Sequence, residues 1–318
     1  MLGRGRIVQG SRLTPLRVRV FPGVQNLPIF VGQARGVFAE RGLALELQLT
    51  ANSRALRQGL AAGEFEVAHA AVDNAVAMVE TAGVDVAVVM GGSNGLNELF
   101  VQPGIHDVGD LRGKTAIVDA PDTAYALQLQ KILLMRGLVA GRDYAVKPVG
   151  GTLQRMTAML ENREYAASML NPPFSIIAER AGLRSLGLAV STLGAYQATA
   201  GFVLRSWARV HGPTLERYIR ASVESLRWAL APANRGEAVA ILADRLELGP
   251  ELAEATYVRA VDPVGGLTVD ARFDLQAFRN VLAIRAELEG YREGRLPEPD
   301  RYYDGAYFER ALAAAAVI

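Results

Sequence analysis

Two stretches of the chain repeat one another at a spacing of 100 residues. The first begins Leu-Thr-Ala-Asn-Ser-Arg-Ala-Leu at Leu49 and leads to Gly63-Glu64-Phe65-Glu66-Val67-Ala68. The second begins Val-Gly-Gly-Thr-Leu-Gln-Arg-Met at Val149 and leads to Arg163-Glu164-Tyr165-Ala166-Ala167-Ser168. Leu60 falls on Leu160, Glu64 on Glu164 and Phe65 on Tyr165 without a gap. Each copy reads as a polar turn, a helix of about ten residues, an acidic-aromatic pair, a short apolar strand and a second polar turn. Two such units in one chain predict two α/β lobes with a site between them.

The match extends outward. Residues 16–21 alternate as a strand that Pro22-Gly23 stops, and a helix over 27–41 ends at Gly42. Residues 43–49 form a second strand, and Asn52 or Ser53 caps a helix over 54–62. A strand over 65–71 follows, and Asp73-Asn74 opens the next helix. The second unit replays this order, with a strand at 115–118 and a helix capped by Pro121-Asp122-Thr123 that runs to Arg136. Arg136-Gly137-Leu138 then repeats Arg41-Gly42-Leu43, before a strand at 144–149, a helix at 153–162, a strand at 165–170 and the stop Asn171-Pro172-Pro173. Strand-helix-strand units of this kind imply mostly parallel sheets with right-handed crossovers. Helical periodicity dominates the rest, over 215–231, 235–246, 251–260 and 273–289. The expected division is a discontinuous first lobe, 14–101 plus 197–318, and a second lobe, 102–196. Crossings near 97–104 and 191–202 would permit a hinge.

Composition excludes several classes of function. A chain of 318 residues, half hydrophobic and 21% charged, suits two globular domains. The net charge of +1 with both signs dispersed gives no basic face for nucleic acid. With no cysteine there is no disulfide, thiolate metal site or cysteine nucleophile. Residues 1–12 carry Arg4, Arg6 and Arg12 but no signal-peptide apolar core, and the runs at 86–90 and 311–318 are too short to span a bilayer. The expectation is therefore a soluble protein: cytoplasmic if the chain is complete, periplasmic or envelope-associated if a signal was removed.

Apparent catalytic motifs fail on context. Gly91-Gly92-Ser93-Asn94-Gly95 has the spacing of a hydrolase nucleophile turn, yet the residues after it read as extended where that turn needs a helix. Residues 109–115 resemble a phosphate loop, but a strand follows Lys114-Thr115 where a helix should. His69, His106 and His211 are scattered, with His69 in an apolar strand, and no spacing resembles a metal site. Neither a metal nor a cofactor is expected.

What remains is the set of turns at the C-terminal ends of the strands, where parallel sheets hold ligands against helix N-termini. The first unit offers Gln25 and Asn26, then Asn52, Ser53 and Arg54, then Asp73 and Asn74. The second offers Asp119, Asp122 and Thr123, then Thr152, then Asn171, with Tyr196 as a stacking surface. Capping alone would explain any one of them; six turns together predict a ligand cleft.

Three segments carry a family resemblance: Gly32-Gln33-Ala34-Arg35-Gly36-Val37-Phe38, Leu60-Ala61-Ala62-Gly63-Glu64-Phe65-Glu66-Val67-Ala68 and Asp110-Leu111-Arg112-Gly113-Lys114-Thr115-Ala116-Ile117. With them the chain resembles, over residues 16–315, the solute-binding proteins of ABC importers in the nitrate/sulfonate/taurine branch, which includes the thiamine-pyrimidine precursor synthase-like sequences. The resemblance implies the type II periplasmic-binding-protein fold, two lobes that close on a small solute, and a membrane permease and ATPase as partners of a monomer. It also implies binding of a small organic anion or acid, without chemistry. The alternative is an enzyme on the same fold, a decarboxylase or dehydratase using Asp73 or Asp119 as acid or base. The acidic turn Asp119-Ala120-Pro121-Asp122-Thr123 and Asp73 would repel a simple anion unless paired with Arg54 or Arg155, which favours a ligand offering donors as well as an acidic group.

Overall fold

The computed structural model describes residues 13–290 and 297–313. The expectations for the N-terminal dozen residues and for the apolar run ending the chain concern residues outside these, wholly or in part. The repeat becomes two five-stranded sheets of identical winding. In the first unit β1 (Thr14–Val20) lies between β2 (Leu43–Leu49) and β3 (Val67–Ala71), parallel to both. The connections are α1 (Leu27–Ala34), α2 (Val37–Glu40) and α3 (Ser53–Ala61), and α4 (Asp73–Ala82) leads to β4 (Val86–Ser93). The chain then crosses to β5 (Glu98–Val101) and the second unit: β6 (Thr115–Val118), α5 (Ala124–Leu134), β7 (Ala145–Pro148), α6 (Thr152–Glu161), β8 (Tyr165–Leu170), α7 (Phe174–Arg180), β9 (Arg184–Leu188) and α8 (Ala189–Leu193). It returns as β10 (Thr199–Leu204), then α9 (Arg205–Leu230), α10 (Arg235–Leu246), α11 (Pro250–Ala260), α12 (Leu275–Glu289) and α13 (Ala306–Ala313). Strand order is β2-β1-β3-β10-β4 in one sheet and β7-β6-β8-β5-β9 in the other.

The sheets are mixed. β10 pairs antiparallel with β3 and β4, and β5 antiparallel with β8 and β9. The reason is directional: the repeated strands end at the edge between the sheets, whereas a strand arriving from the other sheet begins there and must run the opposite way. This also moves the crossings. β5 belongs to the second sheet, so the outward passage occupies 94–97, ahead of the boundary expected at 101. Residues 199–202, expected within the return passage, are already strand inside the first sheet, between β3 and β4.

Two helix boundaries differ for local reasons. The helix expected over 27–41 breaks at Gly36, which adopts a left-handed φ of 75°. The helix expected from 215 begins at Arg205 and kinks at His211, ahead of Pro213.

Strand alternation sorts the core side chains onto two faces of each sheet. Leu16, Val18, Val20, Val67, Ala87, Val89 and Val203 pack against α1, α9 and α13, while Ala68, Ala70, Val86, Val88, Ala200 and Phe202 pack against α3, α4 and α12. In the second sheet Leu99, Val101, Ala116 and Met169 face α5, and Phe100, Ile117 and Leu170 face α6 and α7. Both sheets are thereby covered on both faces, and polar side chains at the C-terminal strand turns are left to the edge where the sheets meet. No described helix is long and apolar enough to cross a membrane.

Candidate ligand cleft between the two sheets

Turns from both sheets enclose a cavity of about 40 Å³, the space open to the centre of a water molecule. From the first sheet come Phe21, Gln25, Ser53, Ala70, Ala71 and Asn74; from the second, Thr123, Ala124, Tyr125 and Asn171; from the crossings and the strand ends beside them, Ser93, Leu96, Asn97, Ala198 and Thr199. None of these carries a formal charge. The walls offer hydroxyls, carboxamides and the first turns of α3, α4 and α5, whose dipoles favour negative charge.

Five of the six expected turns reach this cavity, through Gln25, Ser53, Asn74, Thr123 and Asn171. Ser53 Oγ donates across the cleft to Asp119 Oδ2 at 2.6 Å. Thr123 caps α5, its Oγ1 accepting from Ala126 N at 3.4 Å and donating to Ala120 O at 2.9 Å. Asn171 Oδ1 accepts from both Thr152 Oγ1 at 2.8 Å and Tyr125 Oη at 3.0 Å, so its amide nitrogen is the group left over; that nitrogen makes a weak 3.3 Å contact with Pro172 O. Asn74 Nδ2 donates to Ala71 O at 3.3 Å, and Gln25 Nε2 to Phe21 O at 3.2 Å; the amide oxygens of both lack a partner.

The other expected residues do not line the cavity. Asn26 is spent inside its own turn, Nδ2 donating to Phe21 O at 2.6 Å and Gly23 O at 3.2 Å. Asn52 caps α3 by accepting from Ala55 N at 2.9 Å. Arg54, at the first turn of α3, is exposed and lies beside a flanking groove. Thr152 stands behind Asn171 rather than on the wall. Asp73 and Tyr196 are structural: Asp73 is fully buried, with Oδ1 3.0 Å from Arg285 Nη1 and Oδ2 accepting from Tyr196 Oη at 3.0 Å. Burial and the neighbouring Asp73 carboxylate push the Tyr196 phenol well above its ordinary pKa. Asp119 is held by Ser53 and Asp122 by Arg57, whose Nη2 donates to Oδ1 at 3.1 Å. Burial opposes the Asp122 carboxylate, but the Arg57 hydrogen bond and charge outweigh it and keep its pKa low. The pairings expected with Arg54 or Arg155 are therefore made by Arg285, Ser53 and Arg57 instead.

These contacts seal the cleft. Besides Ser53–Asp119 and Arg57–Asp122, Arg285 Nη1 donates to Asp122 O at 3.2 Å and Lys131 on α5 pairs with Glu287 on α12 at 2.6 Å. The conformation is closed. Sequence reading missed Phe21, Ser93, Asn97 and Thr199 on the wall; Ser93 Oγ and Thr199 Oγ1 lie 2.9 Å apart, and Asn97 Nδ2 donates to Gln128 Oε1 at 2.8 Å. All but Phe21 sit on the passages or strand ends between the units, outside the repeat that pointed to the turns.

A family model extends the likeness beyond architecture. It matches residues 9–243 and is described as the NMT1-like family. The chain belongs to the NMT1-like family. Solved structures agree in fold across nearly the whole chain. A protein from Bordetella bronchiseptica RB50 superposes with a TM-score of 0.81 at 18% identity, covering 95% of this chain and 98% of its own. The periplasmic nitrate-binding protein from Synechocystis PCC 6803 gives 0.79 at 12% identity, covering 96% and 90%. The alkanesulfonate-binding protein from Xanthomonas axonopodis pv. citri, bound to MOPS, gives 0.73 at 18% identity, covering 92% and 98%. This NMT1-like chain therefore has the fold of the periplasmic binding proteins. No curated protein matches it in sequence.

Proposed function

We propose that the chain is the solute-binding component of an ABC-type importer and closes its two lobes on a small organic anion or acid. The observation that carries this reading is the cavity itself, walled by the same turns of two repeated sheets and held shut by side chains that reach across it. Helix N-termini from both walls supply positive potential without a fixed charge, which suits a reversible site for a charged solute. A periplasmic nitrate-binding protein, an alkanesulfonate-binding protein and a ligand-binding component of an ABC-type import system, all of this fold, support the assignment. With it go a periplasmic or cell-envelope setting and a permease and ATPase as partners of this chain. The competing enzyme reading loses support because Asp73 and Asp119, the candidate acids or bases, are tied to Arg285 and Ser53 and lie off the wall.

Calorimetry with a panel of small carboxylates, sulfonates and nitrate, paired with mass spectrometry of the incubated mixtures, tests the proposal. Saturable one-to-one binding with the solute recovered unchanged is expected. Conversion of any solute would overturn it.

A further inference from the structure

Arg155 is fully buried, yet among the described residues no carboxylate forms an ion pair with it. Its hydrogen bonds go to neutral oxygens: Ser168 Oγ at 3.0 Å, Met169 O at 3.0 Å, Thr152 Oγ1 at 3.3 Å and Gly150 O at 2.5 Å. The guanidinium also lies 4.5 Å from the centroid of the Tyr125 ring. A buried cation without a counter-charge is costly, and burial shifts its own pKa down. Asp119 acts on it only from a longer distance, being bound to Ser53.

The route from this cation to the cavity is continuous. Arg155 donates to Thr152, Thr152 donates to Asn171 Oδ1, and Tyr125 donates to the same oxygen. Both donors fix the Asn171 amide with oxygen inward to the protein and nitrogen as its remaining donor. On the opposite wall the side-chain groups left over are acceptors. Asn74, 3% exposed, and Gln25 each use their amide nitrogen on backbone and hold an amide oxygen that nothing satisfies. A buried acceptor left unmade costs about 1–3 kcal/mol, so a ligand with a donor at that end relieves it.

We propose, resting on the binding function above, that the cleft reads its ligand as a polar pair: an acid group against the Asn171 side, with Arg155 as its buried counter-charge, and an amino, amide or hydroxyl donor against Asn74 and Gln25. The ligand class is then a small organic acid that also carries an N–H or O–H group, and an acid without one is the poorer fit. Arg155 is a positioning residue that acts through Thr152 and Asn171 and touches no ligand atom.

The test is a matched set on the whole chain, read by thermal shift and calorimetry: acetate against glycolate and glycine, propionate against lactate and β-alanine, and the uncharged glycolamide and lactamide. Donor-bearing acids are expected to bind roughly tenfold tighter than their donor-free partners, and Asn74→Leu should bring that ratio close to one. Thr152→Val, which interrupts the relay with little change of volume, should weaken acids more than the uncharged amides; Arg155→Lys should recover part of the acid preference that Arg155→Met loses. Donor-free acids binding as well as their partners, or Thr152→Val weakening acids and amides alike, would overturn this inference and leave the binding role standing. No solute binding at all, neither these nor the wider panel, would overturn the binding role and this inference with it.

Discussion

Replacing Asp73 by alanine should unfold the protein more readily rather than merely weaken its ligand. Asp73 is fully buried, and it holds Arg285, which is 2% exposed, at 3.0 Å. Removing one partner of a buried ion pair costs roughly 3–5 kcal/mol, because the other charge is left without compensation. Glu289 remains 2.8 Å from Arg285 Nη2 and is 32% exposed, so the lower end, about 3 kcal/mol, applies. Tyr196 also loses its acceptor, adding about 1 kcal/mol. Spread over an unfolding entropy of roughly 2.1 cal/mol/K per residue in a cooperative chain of this length, about 4 kcal/mol lowers Tm by about 6 °C. Circular dichroism melts of ligand-free protein, with urea titrations beside them, measure it. The double variant Asp73→Leu/Arg285→Met should recover much of the loss, since an apolar pair of similar size leaves no orphaned charge. A Tm within about 1 °C of the parent, or a double variant less stable than Asp73→Ala alone, would refute the reasoning.

Three other outcomes follow from single contacts. Burial lowers the His69 pKa from 6.5 to about 4, and the Tyr218 hydroxyl lies 2.8 Å from Nε2, where the neutral ring accepts it. The unfolded chain therefore takes up a proton that the folded one refuses: the stability is fully present above pH 6.5 and is lost as pH falls toward 4, by up to about 3 kcal/mol. His69→Gln should flatten urea-melt stability across that window, and an unchanged slope would count against it. Gly23 has φ 153°, and a Cβ there would sit 2.3 Å from Gln25 Oε1. Gly23→Ala should cost about 1–3 kcal/mol in urea melts and displace Gln25, with weaker solute binding in calorimetry; neither effect appearing would dismiss the close approach as a constraint. Ser53→Ala removes the bond to Asp119 that exists only when the cleft is shut, so small-angle scattering should report a more open chain with little change in Tm. A scattering curve and affinity identical to the parent would remove Ser53 from closure.

The repeat was readable because each of its pieces is local. Strand alternation, an N-cap such as Asn52 or Thr123 and a stop such as Gly42 all declare themselves within a few residues. The position of β10 was not readable, since its partners β3 and β4 lie more than a hundred residues upstream and nothing within 199–204 names them. The same distance hid the partner of Asp73, which stands 212 residues away on α12; a carboxylate at a strand end looks identical whether it meets a ligand or an arginine. Arg155 was legible only as a charge that could pair with the acidic turn. In a helix of mixed composition nothing local marks it as buried, and the packing of α6 against β8 is what turns it onto neutral oxygens instead.

Ala198 N donates to Ser93 O at 3.0 Å, so the chain leaves the first sheet and re-enters it at one seam. Everything from β5 to β9 is thus a guest spliced into a host. Closing an unstructured loop of that length costs roughly 4 kcal/mol of chain entropy, and the host must meet it before β10 can seat between β3 and β4. A guest that folds first, with its two ends already side by side, removes most of that cost and hands the host two tethered strands. The splice therefore predicts an order of assembly, the inserted half first, and a host joined directly across the seam from Ser93 to Ala198 should fold without waiting for it.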